Sequence, residues 1–230
     1  MLTLAIDTAT KVCTAALCRE RELLAEYTIN MGMTHSEGLL PQLEQLLART
    51  GTAKKDIGLL AVSMGPGSFT GLRIGLATAE AMAYSWQCCL HGVDTLKALA
   101  YNVPLEGMVL SPVLDAQKGN FYQALYRWQN GSLQELEPVQ VVSGDRALER
   151  IALQGGSALL LGECDRLAQK GLPEGVQAAP QALRMPRAGS VALAALDEFD
   201  PEADKKIFGL EPYYIRRSEA EELWEKKQQQ

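Results

Sequence analysis

Residues 63–75 read SMGPGSFTGLRIG, and the rest of the chain is organised around this stretch. It follows the apolar run 59–62, which is short enough for a buried strand, and precedes a segment rich in Leu and Ala that predicts a helix. Ser68 or Thr70 is suited to cap that helix, which is expected to begin near Gly71. A strand, a Gly-rich loop and a helix N-terminus are together typical of an anion or phosphate site. A tight connection that binds nothing fits the same spacing equally well.

The composition is that of an ordinary globular protein, with 230 residues, 47% hydrophobic and 22% charged. This length allows one large domain or two small ones. No apolar run is long enough to cross a bilayer, and Asp7 interrupts the first apolar residues too early for a signal peptide, so we expect a cytoplasmic protein without membrane contact. The net charge of −6 argues against a stand-alone nucleic-acid binder, which needs a basic surface.

The N-terminal residues predict an antiparallel meander of three strands, at 2–6, 12–18 and 23–29, joined by short polar links. Asp7 directly follows the first strand and invites two interpretations. With Thr8 and Thr10 it could hold a hydrated metal or a phosphate-bound ligand. More often, an Asp-Thr pair at a strand end hydrogen-bonds its own turn, and we favour that interpretation.

The next segment predicts a helix in which Thr34 and Glu37 have capping-box spacing. Its apolar residues form one continuous helical stripe: Leu39, Leu40, Leu43, Leu46 and Leu47. His35 is a weak metal candidate, because a helical zinc pair needs a second histidine four residues on and that position is Leu39. The five cysteines form no C-x-x-C pair, which disfavours a zinc site or a thioredoxin-like motif. We expect no metal and no cofactor.

The helix predicted from Gly71 to about Trp86 carries a ridge of small residues. The ridge and its flanking leucines are Gly71, Gly75, Ala79, Ala83, Leu72 and Leu76. Such a ridge lets another helix approach closely, which would offset the cost of about 1 kcal/mol for a glycine inside a helix. Packing within the same domain is the commoner outcome. A protein–protein surface is the competing hypothesis.

The second half of the chain echoes the first. Pro104 breaks a helix predicted from residue 94 or 95, which divides the chain into an N-terminal unit 1–103, a smaller unit 104–217 and a charged tail 218–230. A strand, a turn containing Asp115 and two further strands then repeat the order of residues 2–29. This order predicts two structurally related halves without a strong sequence repeat.

Five motifs stand out along the chain: LAIDTAT at 4–10, His35-Ser36-Glu37 followed by Leu39-Leu40-Pro41, GPGSFTGLRIG at 65–75, Leu114-Asp115-Ala116 with Tyr122, and PYYIRR at 212–217. Together they resemble the motifs of the TsaB (YeaZ) family, which works in bacterial tRNA modification. The resemblance is strong through residue 126 and looser from there to 210. It implies an actin-like α/β fold with two subdomains of related topology.

The resemblance also implies a role without catalytic residues. The family member is expected to dimerise with the paralogue TsaD, which transfers threonylcarbamoyl to N6 of adenosine 37 in tRNAs reading codons that start with A. The ATPase TsaE joins the assembly, tRNA is contacted only indirectly, and the subunit alone forms a homodimer. The implied partner interface lies on helices 35–48 and 71–86, through His35, Leu39, Leu40, Leu43, Leu46, Leu47, Gly71, Leu72, Gly75, Leu76, Ala79 and Ala83.

A vestigial nucleotide or anion site and an alternative function remain open. The site would comprise Asp7, Thr8, Gly65, Gly67, Ser68, Thr70 and Arg73. No P-loop lysine is present, since Phe69-Thr70-Gly71 stands where Gly-Lys-Ser or Gly-Lys-Thr is required. The alternative is a small actin-like ATPase or kinase that uses Asp7 and the loop 65–71. A peptidase is disfavoured, because the sequence shows no persuasive Ser-His-Asp set and no H-E-x-x-H motif.

Overall fold

A five-stranded mixed sheet forms the first unit of the computed structural model, which describes residues 1–31 and 35–215. Its strands are β1 (Leu2–Asp7), β2 (Cys13–Arg19), β3 (Glu22–Ile29), β4 (Ile57–Gly65) and β5 (Cys89–Asp94), in the order β3-β2-β1-β4-β5. The first three pair antiparallel, which confirms the predicted meander, and β4 and β5 run parallel to β1. The loops that follow β1 and β4 therefore leave the sheet at the same edge.

The second sheet repeats the topology of the first. Its strands are β6 (Val109–Asp115), β7 (Asn120–Gln129), β8 (Ser132–Ser143), β9 (Ala158–Gly162) and β10 (Val176–Ala178), in the order β10-β9-β6-β7-β8. Read from β8, this is the order of the first sheet, with antiparallel β6-β7-β8 pairs and parallel β6-β9-β10 pairs. The predicted α/β class with two related halves is confirmed.

Seven α-helices occur in the described residues. They are α1 (His35–Thr50), α2 (Phe69–Trp86), α3 (Thr95–Ala100), α4 (Gly144–Leu153), α5 (Asp165–Gln169), α6 (Gln181–Arg184) and α7 (Ala188–Glu198). Helix α1 continues through Pro41 without ending there. The predicted cap Thr34 and the predicted tail 218–230 lie outside the described residues.

The side-chain alternation of the strands divides the interior into three apolar clusters. In β1, Leu4 and Ile6 face α1 and α2, whereas Ala5 faces the opposite cluster, as the two-residue period of a strand requires. The central cluster contains residues of both sheets and of α3 and α7, and the third cluster joins the second sheet to α4 and α5. Layers of helices thus cover each sheet, and α3 contacts both sheets.

Helix α7 follows the second sheet in sequence but packs on β1 and β2 of the first. Its N-terminal turn is held by Glu26 of β3, which accepts hydrogen bonds from the Gly189 backbone at 2.8 Å and from the Arg187 guanidinium at 2.8 and 3.0 Å. A carboxylate at this position also stabilises the helix dipole. The first unit therefore includes late residues of the chain, while the boundary at residue 103 stays a prediction.

Candidate binding cleft and its Gly-rich border

The glycines of the Gly-rich stretch are explained by close packing against the loop that follows β1. A Cβ atom added at Gly71 would lie 2.0 Å from the Thr8 carbonyl oxygen, and one added at Gly75 would lie 2.4 Å from Thr8 Oγ1. Thr8 Oγ1 donates a hydrogen bond of 2.8 Å to the Gly71 carbonyl, and the Ser68 amide donates one of 2.6 Å to the Ala9 carbonyl. These glycines thus let α2 and its preceding loop approach the backbone of the first hairpin.

Asp7 is buried within the turn that its own side chain stabilises, and it does not line an open site. Its side chain is 1% exposed, and its carboxylate accepts hydrogen bonds from the Ala9 amide at 2.8 Å and from Ser63 Oγ at 2.5 Å. Burial raises the pKa of this carboxyl above its ordinary value, although the two hydrogen bonds oppose that shift. The favoured interpretation, a turn-forming aspartate, is confirmed.

The structure separates the seven residues predicted as an anion site. Gly67, Ser68 and Thr70 line a cleft, whereas Asp7, Thr8 and Gly65 are buried beneath the loop. Helix α2 begins at Phe69, two residues before the expected start, and Ser68 is its cap, because Ser68 Oγ accepts a hydrogen bond from the Gly71 amide at 3.3 Å.

Arg73 lies on the outside of α2, against aromatic rings. Its guanidinium carbon is 3.9 Å from the centroid of Phe69, and its Nε donates a hydrogen bond of 3.0 Å to the Tyr214 hydroxyl. Phe69 and Tyr214 contact each other with centroids 4.9 Å apart. Arg73 therefore supports an aromatic pair at the start of α2.

Most residues predicted for the partner interface are buried in the protein's own core, and their contact with a partner stays a prediction. They face the first sheet and are Leu39, Leu43, Leu46, Leu47, Gly71, Leu72, Gly75, Leu76, Ala79 and Ala83. Of the twelve predicted residues, Leu40 is exposed by 58% and His35 is partly buried. Helical periodicity identified which residues share a face, but that face packs within the same unit, as the commoner alternative held.

A cleft of about 510 Å³ opens where the two units meet. Its described lining comes from the loop after β1, the start of α2, the turn between β6 and β7, the end of β9 and the C-terminal segment: Ala9, Thr10, Lys11, Gly67, Ser68, Phe69, Thr70, Leu114, Asp115, Ala116, Gln117, Tyr122, Glu163, Tyr213 and Tyr214. Because corresponding edges of the two sheets face this cleft, it is the strongest candidate for a ligand site.

The second unit contributes an aspartate turn that matches the turn of Asp7. Asp115 ends β6 as Asp7 ends β1, and its Oδ1 accepts a hydrogen bond of 2.7 Å from the Gln117 amide, two residues on. Unlike Asp7, Asp115 is exposed; it forms an ion pair with Arg166 and donates its amide to Glu163 Oε2 at 2.9 Å. Acidic groups therefore line this side of the cleft.

The C-terminal segment forms the outer wall of the cleft. The Tyr213 amide donates a hydrogen bond of 2.6 Å to the Met64 carbonyl at the end of β4, which brings Tyr213 and Tyr214 beside the Gly-rich loop. Sequence reasoning did not assign these tyrosines, Tyr122 or Glu163 to a site. Two signals were available: the repeated aspartate turn indicated that Asp115 corresponds to Asp7, and the three tyrosines lie in motifs that carry the family resemblance.

Comparison with known proteins places the chain in a family. The family model described as TsaD, tRNA N6-adenosine threonylcarbamoyltransferase, matches residues 22–224. The tRNA threonylcarbamoyladenosine biosynthesis protein TsaB of Bacillus subtilis is 34% identical over 229 residues, covering 97% of this chain and 98% of that protein. The corresponding protein of Escherichia coli is 30% identical and covers 98% of both. The chain belongs to the TsaB family.

A solved structure extends this similarity from sequence to fold. YeaZ from Pseudomonas aeruginosa shares 25% sequence identity with this TsaB-family chain, with a TM-score of 0.76 over 93% of this chain and 99% of its own. Together with the duplicated sheet order, this similarity confirms the actin-like fold expected from the sequence motifs.

Two structural properties bear on what this TsaB-family chain can bind. Within residues 1–31 and 35–215, no group of three or more His, Cys, Asp and Glu side chains is placed to hold a metal ion. His35 instead makes a 2.7 Å hydrogen bond between Nε2 and the Thr10 carbonyl.

No helix in the described part of the chain combines the length and apolar character needed to span a membrane.

Proposed function

We propose that this chain is a non-catalytic partner subunit in threonylcarbamoyladenosine biosynthesis. It would dimerise with a TsaD paralogue that performs the threonylcarbamoyl transfer to tRNA, with the ATPase TsaE as a third component. It would act in the cytoplasm, touch tRNA only through the complex, and form a homodimer when alone. Membership of the TsaB family supports the pathway, and the partner role is supported by the outer surface of α2.

The outer face of α2 carries the proposal, because it is poor in charge and rich in small residues. Across the 18 residues of the helix, the charged side chains are Arg73 and Glu80. Ala77 and Ala81 are exposed and four residues apart, beside the half-buried Ile74 and Thr78. Exposed small side chains permit a second helix to approach closely, and an uncharged helix face is characteristic of the core of a protein interface.

Helix α1 extends the same surface. Leu40, exposed by 58%, points away from the core, and α1 packs beside α2. The proposed interface therefore keeps the two helices predicted from sequence but uses the side opposite their buried leucine stripe. An isolated subunit with this exposed surface is also expected to pair with its own copy.

The test compares two exposed helical alanines. Ala81→Arg places a large cation on the outer face of α2, and Ala152→Arg makes the same change on α4, away from the proposed interface. We expect Ala81→Arg to weaken binding to TsaD at least about tenfold, because a buried unpaired charge costs several kcal/mol, and Ala152→Arg to leave it unchanged. Equal affinities for TsaD, measured by calorimetry, would place the interface elsewhere.

A reconstitution tests the function itself. The chain is mixed with its TsaD and TsaE, and threonylcarbamoyladenosine formation on tRNA is measured with and without it. We expect modification to depend on the chain and to be lost with Ala81→Arg but not with Ala152→Arg. Full modification in its absence would contradict the role of an essential partner.

The alternative function, an actin-like ATPase, is less well supported by the geometry. It requires Asp7 to face a bound nucleotide, yet both carboxylate oxygens of Asp7 accept hydrogen bonds within the protein, and the residue is buried. Turnover of Mg–ATP by the isolated chain that is abolished by Asp7→Asn, with folding intact, would support this alternative over the partner role.

A further inference from the structure

The hairpin that joins β7 to β8 turns at the one Asn-Gly pair of the sequence, Asn130-Gly131. Gln129 pairs with Ser132, which leaves these two residues as the loop, and both have a positive φ, of 52° and 73°. A two-residue loop with two positive φ angles is a type I′ turn, for which Asn-Gly is a preferred sequence. Both residues are exposed, so water reaches them.

An Asn-Gly pair is also the sequence in which asparagine loses its side-chain amide most readily. The glycine nitrogen attacks the side-chain carbonyl carbon and forms a C–N bond, which closes a succinimide ring. The proton of the glycine amide passes to the departing amino group, which leaves as ammonia, and water then opens the ring to aspartate or isoaspartate. Gly131 has no Cβ to obstruct this attack, whereas the other asparagines are followed by Met31, Val103 and Phe121.

The geometry of the turn opposes this reaction in the folded chain. In a type I′ turn, the nitrogen that follows the first central residue lies opposite to Cβ about the Cα–C bond. The Gly131 nitrogen is therefore held away from the side-chain carbonyl carbon of Asn130. Because attack requires the Asn130 backbone to rotate out of the turn, a contact that fixes the turn also slows the reaction.

Glu106, in the segment that precedes β6, supplies such a contact. Its Oε1 accepts a hydrogen bond of 3.0 Å from the Gly131 amide. Glu106 also forms a β-bridge with Trp128, whose indole nitrogen donates to the Ala100 carbonyl at 3.4 Å and whose ring centroid is 5.0 Å from that of Tyr101. The carboxylate thus holds the proton of the attacking nitrogen, and the surrounding contacts fix its backbone.

We propose that Asn130 is a deamidation site that Glu106 protects in the folded protein. Once this contact is lost, Asn130 is converted to aspartate or isoaspartate. Either product adds a negative charge to a turn whose amide contacts the Glu106 carboxylate, and isoaspartate also lengthens the backbone of the two-residue loop. The proposal goes beyond the partner role and does not depend on it, because the hairpin belongs to the second unit and α1 and α2 to the first.

The experiment incubates the full chain at mildly alkaline pH and follows conversion of Asn130 by peptide mass spectrometry. We expect Glu106→Ala to react at least about threefold faster than the native chain, because the turn loses a hydrogen bond to a charged acceptor. The matched control is Glu174→Ala, which removes an exposed glutamate before β10, at the opposite edge of the second sheet from β8. It should react at the native rate.

Two further measurements separate protection by Glu106 from a general loss of structure. Glu106→Gln keeps an acceptor oxygen and should react more slowly than Glu106→Ala, and the native chain unfolded in urea should react fastest of all. The proposal is overturned if Asn130 reacts equally fast in the folded and unfolded native chain, or stays intact in urea. It is also overturned if Glu106→Ala reacts no faster than Glu174→Ala.

Discussion

The two units have the same strand order and the same aspartate turn, but the turns have opposite surroundings. In the first unit, Asp7 is 1% exposed, and α2 with its Gly-rich loop packs directly over the turn. In the second unit, the side chain of Asp115 is 42% exposed, and the short helix α5 follows β9 instead of a long covering helix. One turn has become part of the core, while the other borders the cleft.

This difference shows how a duplicated fold can assign separate tasks to equivalent positions. In both turns the amide two residues on donates a hydrogen bond to the aspartate Oδ1, at 2.8 and 2.7 Å. What differs is the neighbour that covers each turn. The glycines of α2 permit such a cover in the first unit, whereas Asp115 and Glu163 stay exposed at the cleft in the second.

The largest effect is expected from filling the contact between α2 and the first turn. Gly71→Ala would place its Cβ 2.0 Å from a backbone oxygen of Thr8, and backbone cannot move away as a flexible side chain can. We expect the free energy of unfolding to fall by about 3 kcal/mol, as in severe overpacking. Urea denaturation of the full chain measures the change.

Gly38→Ala in α1 is the matched control for this substitution. A Cβ there would lie 3.6 Å from the Gln42 amide nitrogen, an ordinary contact, so the helix propensity of alanine should raise stability by up to about 1 kcal/mol. If Gly71→Ala were as well tolerated as Gly38→Ala, the sealed first turn would not be a tight contact, and the two turns would be more alike than the structure indicates.

Removing the two aspartates separately tests the comparison itself. Asp7→Ala leaves the buried Ala9 amide and Ser63 hydroxyl without their acceptor, which is expected to cost about 2–3 kcal/mol. Asp115→Ala removes an exposed turn bond and a surface ion pair, with an expected cost below about 1 kcal/mol. If Asp115→Ala lowered the free energy of unfolding more than Asp7→Ala, the difference in exposure would not explain how much each aspartate contributes to stability.

The first unit also holds the end of α7 and the turn that follows it, through a contact that depends on pH. His91 of β5 makes hydrogen bonds to Asp204 through Nδ1 at 3.0 Å and to Glu198 through Nε2 at 3.3 Å, and Glu198 also pairs with Lys97. Burial lowers the pKa of His91, but its bonds to Glu198 and Asp204 outweigh burial, so the pKa is raised above 6.5. The folded state therefore binds the His91 proton more tightly than the unfolded chain does.

This linkage predicts that His91 stabilises the protein most below pH 6.5 and that the contribution is lost as pH rises through the raised pKa. We expect His91→Gln to reduce the free energy of unfolding more at pH 6 than at pH 8.5. Denaturation of both proteins at the two pH values provides the measurement. A difference that is the same at both pH values, or larger at pH 8.5, would contradict a protonated His91 between the two carboxylates.

Local pattern and spacing were sufficient to predict the meander, the strand before the Gly-rich loop, the helices that became α1 and α2, and the repeated half. Each depends on residues close in sequence, where periodicity and capping residues act directly. The actin-like fold was predicted from the resemblance to the family's motifs and not from local pattern. The three-residue strand β10 was missed because it is too short to show a period and is defined by its pairing with β9.

The cleft could not be predicted in the same way, since it joins residues from five separate segments. Tyr122, Glu163 and Tyr213 come together only when the two sheets and the C-terminal segment pack, and no local pattern records that arrangement. The packing of the buried side of α2 could not be predicted for a related reason. The spacing of Gly71, Gly75, Ala79 and Ala83 defines a face, but only the tertiary structure shows that the first unit itself covers that face.

The smallest effect is expected at Arg73, which supports the aromatic wall from the exposed side of α2. Arg73→Ala removes a cation 3.9 Å from the centroid of Phe69 and a hydrogen bond to Tyr214, with an expected cost of about 0.5–1 kcal/mol, since the site is exposed. Arg73→Lys keeps the charge but loses the planar guanidinium, so it should recover only part of the loss. Urea denaturation of both variants tests this. If Arg73→Ala lowered the free energy of unfolding by more than about 2 kcal/mol, Arg73 would belong to the buried core of the first unit. The start of α2 would then be part of that core and not an exposed wall of the cleft.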